Sequence, residues 1–106
     1  MVGVIEDKNE IPIAFKLKQN YQNPLNQITT IQYQLPENSK VSLKVFNTLG
    51  QVVVTLSDQV DDAGFKSVEW IASSVSSGIY FYRLEAVSIS DPSKTFTQVK
   101  KMLLVK

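Results

Sequence analysis

The 106-residue chain has no cysteine and no histidine. The first absence excludes a disulfide framework, a thiolate nucleophile and a thiolate metal site. The second removes the usual general base, the proton shuttle and the commonest metal ligand. An enzyme would have to manage with carboxylates and lysines. Long apolar runs are missing too, and no window approaches the length of a membrane-spanning helix. Residues 1–15, MVGVIEDKNEIPIAF, hold no basic segment followed by an apolar run of signal-peptide length. Nor does one charge dominate, since 11 basic and 10 acidic side chains leave a formal net charge of +1. No global field therefore draws the chain to nucleic acid or to a membrane surface. A chain with neither an export signal nor a catalytic inventory is expected to be one domain of a larger protein, with no cofactor.

What is present suffices for a single core. Hydrophobic residues make up 43% and charged residues 20%, a globular balance. A chain of this size buries roughly 65% of its unfolded surface. Residues 1–12 read as a linker, a polar charged run over residues 6–10 closed by Pro12. From residue 13 onward the signal is alternation, which marks half-buried strands. Phe15 and Leu17 alternate with Lys16 and Lys18, and Ile31, Tyr33 and Leu35 with Thr30, Gln32 and Gln34. KVSLKVFN, the turn TLGQ and QVVVTLS form a hairpin, with Gly50 suited to the positive φ of a short loop. FKSVEWIA places Val68, Trp70 and Ala72 on one face, and IYFYRLEAV sets Tyr80, Tyr82, Leu84 and Ala86 against Ile79, Phe81 and Arg83. The last strand, TFTQVKKMLLVK, breaks its alternation at Lys100-Lys101, where a bulge is expected. Seven short strands predict an all-β, immunoglobulin-like antiparallel sandwich.

Candidate chemistry is sparse. Asp58, Asp61 and Asp62 gather enough oxygens near one turn to suggest calcium, but in no known loop spacing, and a solvated turn accounts for them. The serines of SSVSSG have no histidine to activate them. Tyr21, Tyr33, Trp70, Tyr80 and Tyr82 could form a sugar platform, yet most fall on inward rows and are expected in the core. Lys94, Lys100, Lys101 and Lys106 have no acidic neighbour over residues 94–106. They protect an edge strand from aggregation or, on a sharper reading, offer an electropositive handle to a partner.

Five stretches in order resemble one family. NYQNPLNQITTIQYQLP is similar to an N-Y-P-N-P-F-N-P opening followed by T-x-I and a strand ending in L-P. VSLKVFNTLGQVVVTL resembles the next hairpin, AGFKSVEW an A-G-x-x-x-V-x-W segment, SSGIYFYRL an S-G-x-Y-[FY]-Y-[RK]-[LI] strand, and KKMLLVK a closing K-K-[ML]-[LI]-[LV]-x-K. The family is that of the C-terminal sorting domains (type A) of cargo of the type IX (Por) secretion system of Bacteroidetes-type bacteria. The resemblance covers residues 13–106. Departures are Gln22 and Gln27 for prolines, Leu25 for phenylalanine, Ile71 after the tryptophan, and a longer last hairpin at SISDPSK.

The resemblance implies a non-catalytic, secreted module. It would direct folded periplasmic cargo, an N-terminal domain of the parent chain, through the outer-membrane translocon to the surface or the medium. A sortase-like peptidase would then remove it, cutting before Pro12. The recognition elements carried over by position are Gly78 and Tyr80, together with Lys100, Lys101, Met102, Leu103, Leu104, Val105 and Lys106. No nucleic acid, metal or transmembrane insertion is implied. The competing reading is a carbohydrate-binding or adhesive β-sandwich module, which would tolerate loss of residues 101–106 where a sorting signal would not.

Overall fold

The structure, a computed structural model, describes residues 10–106. The charged run expected as a linker lies outside the described residues as far as Asn9, while Pro12 is buried. Among the described residues there are eight strands and no helix. They are β1 (Lys16–Leu17), β2 (Tyr21–Asn23), β3 (Ile28–Leu35), β4 (Ser39–Phe46), β5 (Val52–Asp61), β6 (Gly64–Ile71), β7 (Gly78–Ser88) and β8 (Thr95–Leu104). No helix is long and apolar enough to cross a membrane among the described residues.

All pairings are antiparallel and fall into two sheets. In the first, β6 runs along one side of β3 while β1 and β2 share the other side end to end. The second has the order β5-β4-β7-β8, so β8 is an edge strand. Period-two patterning decides which side of each sheet is inside. Leu17, Ile31, Tyr33, Leu35 and Trp70 from the first sheet meet Val41, Leu43, Val45, Tyr80, Tyr82, Leu84, Met102 and Leu104 from the second in one core cluster. Trp70 and Tyr80 join the layers edge to face, with ring centroids 6.2 Å apart and planes at 80°. The expected all-β sandwich is what forms.

Two details differ from the expectation. The eighth strand, β2, is three residues long, too short to show alternation. The bulge expected at Lys100-Lys101 is absent, because β7 and β8 pair without a register shift from Gly78↔Leu104 to Val87↔Thr95. Lys100 simply occupies the inward row half-buried; a lysine can lay its aliphatic stem along apolar surface and keep its ammonium wet. The irregularities lie instead between β4 and β5, at Leu43/Lys44 and Val45/Phe46. There β5 carries residues without a partner, which bends an edge strand and blunts it.

The connections are locally specified. In the β4–β5 turn Asn47 Oδ1 accepts from the amides of Leu49 (2.9 Å) and Gln51 (3.0 Å), and Gly50 takes φ 79°. The long SISDPSK loop is pinned by Glu37, which accepts from Ser88 Oγ (2.7 Å), Ser90 Oγ (3.2 Å) and Lys94 Nζ (3.0 Å). The hydrogen bond from Ser88 and the Lys94 ammonium hold the Glu37 carboxyl below its ordinary range.

Candidate functional site

The β7–β8 ladder brings together two segments far apart in the chain. Gly78 lies opposite Leu104, and Tyr80 opposite Met102. Gly78 opens β7 at φ 152°, a backbone region that L side chains rarely adopt. A Cβ there would meet nothing within 4 Å, so the need for glycine is conformational and not one of space.

Alternation then splits the predicted recognition residues into two sets. Tyr80, Met102 and Leu104 are buried in the core. The Tyr80 hydroxyl donates to Ser76 O at 2.7 Å, closing the loop before β7. Lys101, Leu103 and Val105 face solvent, with Leu103 62% exposed. Lys106 is tied to the β6–β7 loop through its amide, which donates to Ser77 Oγ (3.0 Å), and its Nζ, which donates to Ser73 O (2.8 Å).

A strap formed by residues 18–23 crosses from the first sheet to the outer edge of β8. The phenol of Tyr82, itself fully buried, anchors it: Tyr82 OH donates to Lys18 O, and Asn20 N donates to Tyr82 OH, both at 2.8 Å. Burial pushes this phenol above its ordinary pKa. From the strap Gln19 Nε2 donates to Lys101 O at 2.8 Å. Gln22 makes two bonds to Val105, donating from Nε2 to its carbonyl (2.8 Å) and accepting its amide on Oε1 (3.1 Å). One side-chain amide thus stands in for a neighbouring strand. Successive residues of a strand turn their N–H and C=O groups to opposite sides, so the outward backbone groups along β8 and the residue after it belong to Thr95, Thr97, Val99, Lys101, Leu103 and Val105. The strap covers this edge at Lys101 and Val105.

Sequence reasoning did not single out Gln19, Gln22 or the Tyr82 hydroxyl as parts of this site. Only the glutamine at position 22 stood out, as a departure from proline. Proline could make neither of the bonds to Val105.

The remaining candidates have structural explanations. Lys94 pairs with Glu37 at 3.0 Å and serves the loop. Asp58 lies 3.7 Å from Lys40, and Asp61 accepts from Tyr33 OH (2.7 Å) and Gln59 Nε2 (2.9 Å). Among the described residues no group of three acidic side chains is arranged to hold a metal ion. Burial, and then the hydrogen bond to Asp61, push the Tyr33 phenol well above its ordinary pKa. Tyr33, Trp70, Tyr80 and Tyr82 are buried, which leaves Tyr21 alone of the five aromatic candidates exposed.

A family model described as the secretion system C-terminal sorting domain matches residues 19–102. The match takes in the strap from Gln19 onward, the strands β2 to β7, and β8 through Met102. No curated protein matches the chain.

Proposed function

Because the chain belongs to the family of secretion system C-terminal sorting domains, we propose that it works by being recognised and performs no catalysis itself. Membership makes it a sorting signal of type IX secretion and makes its parent a protein destined for the cell surface or the extracellular space. The finer steps belong to the proposal. A folded cargo domain upstream in the parent chain waits in the periplasm, and the module engages the outer-membrane translocon through the tip of the β7–β8 ladder. A sortase-like peptidase then cuts before Pro12.

The family match over residues 19–102 carries this reading. The ladder supports where recognition occurs, since Gly78, Tyr80 and residues 100–106 converge on one end of one sheet. Their roles differ by burial. Gly78, Tyr80, Met102 and Leu104 set the shape of the tip, and Lys101, Leu103 and Val105 offer side chains to a partner. A signal of this kind suits a translocon that passes folded cargo, because the address exists only on the folded module. The carbohydrate-binding alternative finds no support in an exposed aromatic platform, as four of the five aromatic candidates are in the core.

The test fuses the chain to a periplasm-targeted reporter in a bacterium with this secretion system. Surface or medium localisation that requires the fused chain is the expected result; equal export of the unfused reporter would refute the proposal. Deleting residues 101–106 would remove core side chains as well as signal, because Met102 and Leu104 are 1% exposed. Leu103→Asp with Val105→Asp leaves the core filled, and should reduce export while the module still folds.

A further inference from the structure

The outer face of the β5-β4-β7-β8 sheet, turned away from the core, divides into two unlike halves. Register aligns its residues in cross-strand rows. At the end that holds the β8 tip the rows are Ile79–Leu103, then Val52–Phe46–Phe81–Lys101, then Thr55–Lys44–Arg83–Val99. These three rows contain six apolar side chains, three cations and no carboxylate. Carboxylates appear only in the next row, with Asp58 and Glu85. Ile79, Val52, Val99 and Leu103 are exposed, and Phe46 and Phe81 half-buried. A shallow groove of about 300 Å³ runs over Phe46, Phe81, Arg83 and Val99. The Arg83 guanidinium lies over the Phe46 ring, 4.7 Å from its centroid. Its Nε is buried and ion-pairs with Glu85 Oε1 of the next row at 3.1 Å, without an aligned hydrogen bond.

We infer that this apolar, cationic half-face is the surface on which the module meets the translocon, and that its occupant is a protein segment bearing an apolar side chain flanked by carboxylates. The inference rests on the sorting reading and specifies the surface and partner chemistry for it. Charge complementarity selects the acidic flank, since Lys44 and Lys101 make no ion pair among the described residues and the three rows hold no carboxylate. The groove selects the apolar element, because it is concave and accepts a side chain. Two other occupants fit less well. A second copy docked by the same face would set Lys44, Arg83 and Lys101 against their own kind. A membrane surface would engage the exposed Ile79, Val52, Val99 and Leu103 but would not use the concave groove over the two half-buried phenylalanines. The half-face is also continuous with Leu103 and Lys101, so tip and face form one surface.

The experiment uses the same reporter fusion with three variants: Phe81→Thr, the charge-reversing pair Arg83→Glu/Lys101→Glu, and Lys16→Glu as a single-reversal control on the other sheet. Each is checked for folding by thermal unfolding of the purified chain. Loss of an anchoring side chain or charge at an interface should lower the exported fraction about 10-fold or more for the first two. Lys16→Glu should stay within about 2-fold of wild type, as expected for a surface change outside an interface. Normal export of folded Phe81→Thr and of the reversal pair would overturn the inference. Failure of the unmodified fusion to export would instead sink the sorting reading. Two further measurements bear on the occupant. Sedimentation that shows a dimer lost in Phe81→Thr would replace the partner by a second copy. Binding of the purified chain to anionic lipid vesicles, lost in the same variant, would replace it by a membrane.

Discussion

Removing one oxygen atom, in Tyr82→Phe, tests whether the strap is structural. Among the described residues the hydroxyl is the only side-chain group that bonds the strap backbone at both Lys18 and Asn20, and the residue is 0% exposed. Phenylalanine keeps the packing and deletes both bonds, leaving Lys18 O and Asn20 N to find other partners. An unsatisfied buried polar group costs about 1–3 kcal/mol. These two groups are only partly buried and regain some hydration, so the expected loss is about 2 kcal/mol in total. For a domain of this size that lowers the melting temperature by about 8–16 °C. Thermal unfolding followed by circular dichroism reads this directly, with Tyr21→Phe, an exposed site, as the control expected to shift stability by less than about 0.5 kcal/mol. A second readout is specific to the strap: the amide of Val105 is bonded to Gln22 Oε1, so its hydrogen exchange should accelerate in Tyr82→Phe. A melting temperature within about 2 °C of wild type, with unchanged exchange at Val105, would refute the assignment of the phenol as the strap's anchor.

Neighbouring residues of β8 should behave oppositely, with Leu104→Ala losing about 2–5 kcal/mol in urea unfolding and Leu103→Ala less than about 0.5. Gln22→Ala removes two exposed bonds worth about 0.5–1.5 kcal/mol together, and should speed exchange at Val105 about 2–10-fold while barely moving global stability. Tyr33 and Tyr82 titrate higher in the folded chain than their ordinary value of 10.0. Their contribution is therefore complete below pH 10.0 and lost as pH rises through the folded values, so the urea midpoint should fall above pH 10.0, and less steeply in Tyr33→Phe. Glu37 shifts the other way, so its contribution is present above the ordinary carboxylate pKa and lost as pH falls. Glu37→Gln should flatten the acid limb of the same titration.

Most of the fold was legible because period-two alternation is strong wherever one face is buried. Ile31, Tyr33 and Leu35, or Tyr80, Tyr82 and Leu84, declare their sheet side without any tertiary information. The signal fails in two recognisable ways. Val52, Val53 and Val54 are all apolar and carry no period, so the bulged pairing of β5 could not be seen. Lys100-Lys101 looks like an interruption, yet lysine is amphipathic and Lys100 sits half-buried on the inward row. β2 escaped notice because three polar-rich residues owe their strand state to pairing with β3. In the candidate site, the motif resemblance named two segments that the β7–β8 ladder brings together, but mixed buried and exposed residues. Alternation could have separated them, since Met102 and Leu104 share a parity that Lys101, Leu103 and Val105 do not. The glutamine clasp had no local signal; residues 22 and 105 meet only once the strap crosses between the sheets.

The central claim is that the folded module is the address read by the type IX translocon. The most direct measurement is the surface fraction of a periplasm-targeted reporter carrying the chain, compared between a host with a working type IX translocon and the same host without one. Surface exposure in the first and periplasmic accumulation in the second is the predicted result. Surface exposure in both would contradict the claim.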